Sequence, residues 1–564
     1  MVELETTGSQ QEMPSESDSF PKLGYLLQER GLISPIQLKY TLQKQKIEGK
    51  RLGNMLVHHG LASEYQIGKI LAGQMGIPFL DADRFPIPQP EVLALFNREL
   101  CLTQGFLPLR RVGDHIEVLL GDGDMRKNAD IATRRTGLRP LFFQGEFTKV
   151  TQAIRTHFYF AKNPVEELIA TEVRCLGDDK DRVYSPERLL DNLLHLAVRE
   201  RGTDIHITPS ELSMHVFLRV DGVMRPIFAL RLVIARLISY VKLVAEMNVS
   251  EQRLPQDGSF HTTVLDSPYT VRISTLITIH GERMVLRILP EKNDLMDMEA
   301  LGYLPEDVQG LKKAFARPTG IVLVTGPTGS GKSTTLHAAL KMQSLIERNV
   351  LTIEDPVEYR APGAGQTEVN RRAGYDFGSA MRHFLRHDPD VLLIGEIRDA
   401  ETVQMALDAS STGHLLLSTL HVGSAFGAVP RLRQLGADAE IIAQNMIAVV
   451  NQRLVRRICP HCSQEVHLTD AEKHYIGAHA PTTGRRGAGC VRCADTGYYG
   501  RLPVYEILWV NQEIADAIGS GESMQVIRRV AAESGFVTIH EMACKRIILG
   551  ETTVEEIQRV VGSL

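Results

Sequence analysis

Gly326-Pro327-Thr328-Gly329-Ser330-Gly331-Lys332-Ser333 is the stretch that decides the architecture of this chain. The apolar run Ile321-Val322-Leu323-Val324 precedes it, and Thr334-Thr335-Leu336-His337-Ala338-Ala339-Leu340 behind it reads as a helix. Strand, glycine-rich loop and helix in that order, with G-x-x-x-x-G-K-[ST] spacing, form a phosphate-binding loop. The glycines let backbone N–H groups turn inward around phosphate oxygens, and the helix N-terminus adds a favourable dipole. Lys332 is expected to sit against the β- and γ-phosphates, and the Ser333 hydroxyl to ligate Mg²⁺. The loop residues, extended by Thr334, are the expected contacts of a nucleoside triphosphate.

Working outward, the chain has 564 residues, enough for three or four domains with sizeable cores. Apolar residues make up 43% and charged residues 23%, as in an ordinary globular protein. A formal net charge of −5 argues against nucleic acid as the main partner. No apolar run reaches the length of a membrane span. The best candidate, residues 227–249, is broken by Arg231, Arg236, Lys242 and Glu246 and reads as an amphipathic helix. The start of the chain lacks the basic and apolar segments of a secretory signal, so a cytoplasmic location is expected, with any membrane association made through partners.

Residues 1–19 read as a disordered tail. An internal repeat follows at a constant offset of 29 residues. Lys22-Leu23-Gly24-Tyr25-Leu26 through Gly31-Leu32 matches Arg51-Leu52-Gly53-Asn54-Met55 through Gly60-Leu61, and Leu38, Leu42 and Gln45 match Ile67, Leu71 and Gln74. Each unit reads as a short helix, a glycine-containing turn and a second helix. The repeat and the mixed α/β segment after it make an expected domain over residues 20–160, followed by a linker at 161–184. A smaller α/β domain is expected over residues 185–295, with strands such as Met214-His215-Val216-Phe217-Leu218-Arg219-Val220 and Tyr269-Thr270-Val271-Arg272-Ile273-Ser274. The nucleotide domain takes residues 296–564, where strands alternate with helices as a parallel sheet requires.

Three further strands of that domain carry candidate chemistry. Val350-Leu351-Thr352-Ile353 ends in Glu354-Asp355, and carboxylates at the tip of a parallel strand point into the ligand crevice. One orients Mg²⁺ and another polarises the attacking water, unless the stretch is a solvated acidic loop. Val391-Leu392-Leu393-Ile394-Gly395-Glu396 resembles a Walker B strand with Gly395 where Asp is usual, so Glu396 must take the metal-side role. Arg398 and Asp399 behind it read as a local ion pair. A fourth strand is bracketed by His414 and His421, both candidates for sensing the γ-phosphate.

These motifs together resemble the assembly ATPases of bacterial type II secretion and type IV pili, over essentially all of residues 21–564. The resemblance rests on GPTGSGKST (326–334), TIEDPVEY (352–359), LLIGEIRDAETVQMAL (392–407), TGHLLLSTLH (412–421) and NQRLVRRICPHC (451–462). RGTDIHI (201–207), LRVDGV (218–223) and LPQDGSF (254–260) extend it into the preceding domain. It implies an α/β fold: a RecA-like phosphate-loop motor domain behind a smaller α/β domain and an N-terminal helical-repeat plus α/β domain, assembled as a homo-hexamer. It implies Glu354 as the water-activating carboxylate, Glu396 on the Mg²⁺ side, and His414 and His421 as γ-phosphate sensors. Arg219 and Arg272 are the implied arginines that neutralise phosphate charge, although strand arginines are often only surface charges. The implied partners are an inner-membrane platform protein and cytoplasmic, membrane-anchored assembly proteins, with the chain peripheral on the inner membrane. Ile277 and His387 stand where the family commonly has Pro and Gln.

Four of the seven cysteines form two C-x-x-C pairs, Cys459 with Cys462 and Cys490 with Cys493. Together they suit one closed Cys₄ Zn²⁺ site, with an intervening hairpin or helix across the long span between pairs. Redox-active dithiols are the competing reading. By resemblance this is a zinc subdomain at about residues 455–500.

The N-terminal repeat also resembles a domain that binds cyclic di-GMP through two consecutive R-L-G-x-x-L-x-x-x-G motifs. The candidate contacts are Lys22, Leu23, Gly24, Gly31, Gln45, Arg51, Leu52, Gly53, Gly60 and Gln74, with a five-residue spacer between the units. Arg51 has the planar fork to stack on guanine or grip phosphate, and Lys22 keeps the charge but not the fork. A helical unit that merely docks on the secretion or pilus base remains the alternative. Two other whole-chain readings stay open: a sensor module with an idle motor, and a RecA-like nucleic-acid motor, the latter without a basic tract or an aromatic stacking series to support it.

Overall fold

The structure is a computed structural model that describes residues 23–175, 185–231, 235–291 and 297–562. Among these, residues 23–70 and 297–562 form one compact unit and residues 71–291 a second. The expected tail at residues 1–19 lies outside the described residues.

The repeat folds as two helix pairs, Leu23–Glu29 with Pro35–Glu48 and Leu52–His58 with Glu64–Met75. Symmetry extends to single bonds. Ser34 and Gln37 exchange reciprocal capping hydrogen bonds at the start of one long helix, and Ser63 and Gln66 do the same at the start of the other. Gly24 lies so close to Leu38 that a Cβ would stand 2.8 Å from its side chain, and Gly53 meets Ile67 in the equivalent place. These two glycines are explained by helix packing.

The grouping of residues 23–70 with the motor differs from the expected 20–160 domain. Gln37 Nε2 donates to Ser344 Oγ at 2.9 Å, and Ser34 Oγ donates to Glu347 at 3.2 Å. The caps that start the helix Pro35–Glu48 thus also tie it to residues 344–347.

In the second unit, β1 (Phe106–Val112), β2 (His115–Leu120) and β3 (Arg139–Gln144) form a small sheet, antiparallel and then parallel. The helix Phe147–Lys162 follows. Residues 165–175, expected as linker, are helical: Val165 and Ile169, four apart, bury in the same core as Leu189 and Leu193 of the helix Pro186–Arg199. Residues 176–184 lie outside the description. A six-stranded antiparallel sheet comes next, built from β4 (Gly202–Pro209), β5 (Ser213–Val220), β6 (Val223–Arg231), β7 (Gln256–Val264), β8 (Ser267–Thr278) and β9 (Gly281–Pro290) in the order β6-β5-β4-β9-β8-β7. One face is core: Ile205, Ile207, Val216, Leu218, Val271, Ile273 and Leu286 are buried in one cluster. The amphipathic helix expected over residues 227–249 is corrected. Its first residues belong to β6, where Phe228 pairs with Val216, and among the described residues of the span only Ala235–Val244 is helical.

The motor sheet contains β10 (Gly320–Thr325), β11 (Val350–Glu354), β12 (Gly365–Glu368), β13 (Val391–Ile394), β14 (Leu415–Leu420) and β15 (Met446–Ile458). Beyond the hairpin of β16 (Ser463–His467) and β17 (Thr483–Gly487), β18 (Tyr498–Trp509) completes it. The order is β12-β11-β13-β14-β10-β15-β18, parallel throughout except for the last pair. Both faces are covered, as parallel sheets require. Val322, Val324, Leu393 and Leu417 face one core, while Ile321, Leu323, Leu392 and Leu416 face the other.

Candidate functional site at the phosphate loop

The phosphate loop leaves the C-terminal end of β10 and enters the helix Lys332–Lys341. Gly326 is held tightly: its φ is +141°, and a Cβ would stand 2.5 Å from the Gln452 carbonyl oxygen. Gly329 and Gly331 also have positive φ, of +76° and +86°. Lys332 Nζ donates to the carbonyls of Gly326 and Pro327 at 3.1 and 3.0 Å, oxygens that a bound phosphate would replace as its partners. Burial holds its ammonium below the usual lysine range, opposed by the charge of Glu396.

Gln452, on β15, braces this loop and had no role in the sequence reading. Its Nε2 donates to the Ser330 carbonyl at 2.6 Å, and its Oε1 accepts from Tyr303 and Thr335 at 2.6 and 3.0 Å. Asn451 beside it binds Glu506 of β18 and the Gly423 carbonyl. The N-Q-R run was noted as a family motif, and only the fold shows that the side chain lies under the loop.

Glu354 ends β11 and is 3% exposed. Its Oε1 accepts from Thr352 Oγ1 at 2.8 Å and from Gln366 Nε2 at 3.1 Å, and its Oε2 lies 3.0 Å from His337 Nε2. A carboxylate offers about four lone-pair sites, so room for a water proton remains. Glu396 lies just past β13. It pairs with Arg398 through one oxygen and lies 3.5 Å from His421 Nε2 through the other. The expected Arg398–Asp399 pair is therefore corrected: Asp399 instead caps the helix Ala400–Ser411 by accepting from Thr402 N at 2.8 Å. Burial, then the Lys332 charge, holds the His421 imidazole below the usual histidine range, so it is neutral at pH 7.

The two histidines that bracket β14 part company. His421 follows Leu420, which pairs with Thr325 immediately before the phosphate loop. His414 precedes Leu415, which pairs with Gly320 at the other end of β10. Strands rise about 3.3 Å per residue, so His414 is about 20 Å from the loop end. Its Nδ1 donates to the Ala409 carbonyl at 2.8 Å. His414 is not brought to this site, and its expected role as a γ-phosphate sensor here is corrected.

Arg219 and Arg272 lie on the six-stranded sheet in one cross-strand row. Arg219 pairs with Asp204, Asp204 with Arg287, and Arg287 with Arg272. Arg287 Nε is 3.0 Å and Arg219 Nε 3.8 Å from Asp204. Two arginines directly opposite each other repel unless an anion intervenes. Arg287 was not singled out from sequence, because its place in the row depends on register.

The four cysteines converge, with Sγ atoms all within 4.8 Å of one another. Cys459–Cys490 and Cys462–Cys493 are each 3.8 Å apart, and Cys490–Cys493 3.7 Å. A tetrahedral Zn–S₄ site has S–S edges of about 3.8 Å, from Zn–S bonds of about 2.3 Å, so the cluster fits that ion. Burial pushes the Cys459 thiol up to about 11, a cost that a metal cation removes by taking the thiolate. The hairpin expected between the pairs is β16–β17, with the helix Asp470–Ile476 in its connection.

Of the candidate cyclic di-GMP residues, Leu23, Gly24, Gly31, Gln45, Arg51, Leu52, Gly53 and Gly60 lie in the helix pairs or their turns, and Gln74 is in the last turns of Glu64–Met75. Lys22 lies outside the described residues. Gln45 Nε2 donates to the Lys50 carbonyl at 2.9 Å, closing the spacer between the units. Among the described residues no helix is long and apolar enough to cross a membrane.

The family model described as type II/IV secretion system protein matches residues 179–559, and the MshEN domain model matches residues 75–163. The type IV pilus assembly ATPase PilB of Thermus thermophilus is 36% identical over 534 residues, covering 91% of this chain; the chain spans 59% of that relative's length. The type II secretion system protein E of Dickeya dadantii is 42% identical over 396 residues, covering 70% of this chain and 79% of the relative. In fold, the chain is similar to the X-ray structure of the Legionella pneumophila ATPase DotB, with a TM-score of 0.51 at 21% identity, over 68% of this chain and 97% of that one. The chain belongs to the type II/IV secretion system protein family, the family of the secretion and pilus-assembly ATPases.

Proposed function

We propose that this chain hydrolyses ATP to power assembly of a type IV pilus or of the pseudopilus of a type II secretion system. The observation that carries the reading is the placement of Lys332, Glu354, Glu396 and His421 at the C-terminal ends of adjacent strands of one sheet. The loop amides and Lys332 hold the β- and γ-phosphates. Ser333 and Glu396 are the residues that hold Mg²⁺, which when bound neutralises phosphate charge. Glu354 takes a proton from water as the oxygen attacks the γ-phosphorus and the bond to ADP breaks. His421, neutral, donates to the γ-phosphate, and Arg219 and Arg272 neutralise charge during the cycle.

The chain works as a homo-hexamer with a RecA-like motor, on the cytoplasmic side of the inner membrane, through a platform protein and membrane-anchored assembly proteins. Zn²⁺ held by Cys459, Cys462, Cys490 and Cys493 stabilises the module that meets the platform. Cyclic di-GMP regulates the motor through the N-terminal repeat, a reading supported by the repeated motif and by the MshEN match immediately downstream.

The test is Lys332→Ala in the chromosomal copy, with pili imaged and secreted enzymes assayed in one culture. The purified variant is expected to lose at least about 10²-fold in turnover. Lost pili with normal secretion assigns pilus extension, and trapped exoproteins with normal pili assigns secretion. Unchanged turnover of the purified variant overturns the reading.

A further inference from the structure

An amide side chain on a strand covered from both sides needs partners, and Gln452 is such a residue. β15 is buried without a break from Met446 to Gln452, and Gln452 itself is 1% exposed. A methionine of similar length would fill the same space with no polar group to satisfy. The two ends of the amide are assigned by their partners. The Ser330 carbonyl oxygen, 2.6 Å away, can only accept, so Nε2 faces it and donates. Oε1 then accepts from the Tyr303 hydroxyl at 2.6 Å and from Thr335 Oγ1 at 3.0 Å.

The bond to Ser330 orients a whole peptide unit. The Ser330–Gly331 peptide is trans, and a trans peptide is planar with its C=O and N–H opposed. Drawing the Ser330 carbonyl toward Gln452 therefore turns the Gly331 N–H to the opposite side. Among the described residues that N–H has no acceptor. It lies immediately before Lys332, at the start of the helix, where backbone amides meet phosphate oxygens. A Cβ on Gly331, whose φ is +86°, would stand 3.1 Å from Nε2, so glycine is what lets the amide approach.

We propose that Gln452 is a positioning residue for nucleotide binding, clamping the Ser330–Gly331 peptide so that the Gly331 N–H faces a phosphate oxygen. The Tyr303 hydroxyl acts through it, by fixing which way round the amide sits. The proposal rests on the reading of residues 326–334 as the phosphate site. A loop amide holds phosphate in the ground state and the transition state alike, so loss of the clamp falls on KM and not on kcat.

The experiment measures ADP affinity by calorimetry, ATP turnover, and melting without nucleotide, all on the full chain. Gln452→Met keeps the length and loses both polar ends. It is expected to weaken ADP binding and raise KM about tenfold, with kcat within about threefold. Tyr303→Phe is expected to weaken ADP binding about threefold. Combined, the two substitutions are no worse than Gln452→Met alone, because the hydroxyl works through the amide. ADP affinity and KM of Gln452→Met within about twofold of wild type, at whatever melting temperature, make the residue purely structural and overturn the proposal. A fall in kcat with KM unchanged, or multiplication of the two defects, does the same. If Gln452→Met does not fold, Tyr303→Phe decides, and unchanged ADP affinity in it overturns the clamp. Wild-type ADP affinity in Lys332→Ala removes the phosphate-site reading and the clamp with it. A weakened Lys332→Ala beside an unimpaired Gln452→Met removes only the clamp.

Discussion

The two large sheets carry their candidate functional groups in different places. In the motor sheet both faces of each central strand are buried, and the candidate catalytic groups Lys332, Glu354, Glu396 and His421 emerge where strands end. In the six-stranded antiparallel sheet one face is core, and the other carries Arg219, Asp204, Arg287 and Arg272 as a row across four strands. A parallel sheet buried on both sides offers an edge, and a half-covered antiparallel sheet offers a surface. The edge collects groups from distant stretches of chain, whereas the surface depends on cross-strand register.

The comparison breaks first at the arginine row. Arg272→Ala is expected to lower ATP turnover about 10²-fold, the cost of removing one preorganised charge partner. Turnover within twofold of wild type would leave that face without a part in catalysis. The two ends of β14 sharpen it next. His421→Ala is expected to cost about tenfold, one charge-assisted hydrogen bond, while His414→Ala stays within about twofold. Equal defects would mean that position along the strand does not decide function.

The smallest effect on turnover is expected at Glu556, which lies far from either set in role. Its carboxylate is fully buried and accepts from Arg456 Nε at 2.9 Å and Arg559 Nε at 2.8 Å. Burial pushes its carboxyl up, but the hydrogen bonds from Arg559 and Arg456 outweigh it and hold it below the usual range. A depressed carboxyl contributes stability that is present above its unfolded value of about 4.3 and is lost as pH falls through the lower folded value. Glu556→Gln is therefore expected to lower unfolding stability by about 3 kcal/mol at pH 7, and the gap to wild type to close below about pH 4, as read by denaturant titration.

Much of the motor was legible in sequence, for the same reason that its chemistry sits at edges. Strands buried on both faces appear as unbroken apolar runs, such as Ile321-Val322-Leu323-Val324, and the residue after each run is the one at the edge. The N-terminal repeat was legible because its spacing is an arithmetic fact. Residues 227–249 misled because hydrophobic content alone does not separate strand from helix, and the pairing of Phe228 with Val216 is a tertiary fact. His414 misled because a strand brackets two positions equally in sequence but has two ends in space. Gln452 and Arg287 carried no local signal: each acquires its neighbours from a segment remote in the chain.

One strand has a mechanical consequence. β15 carries Gln452 under the phosphate loop and runs without interruption to Ile458, next to Cys459 of the sulfur cluster. The span is about 23 Å at about 3.3 Å per residue, and its antiparallel ladder to β18 extends from Ala448 to Arg456, with a register shift before the last pair, Ile458 with Tyr498. One continuous strand, and not a flexible linker, therefore joins the floor of the phosphate loop to the cysteine module.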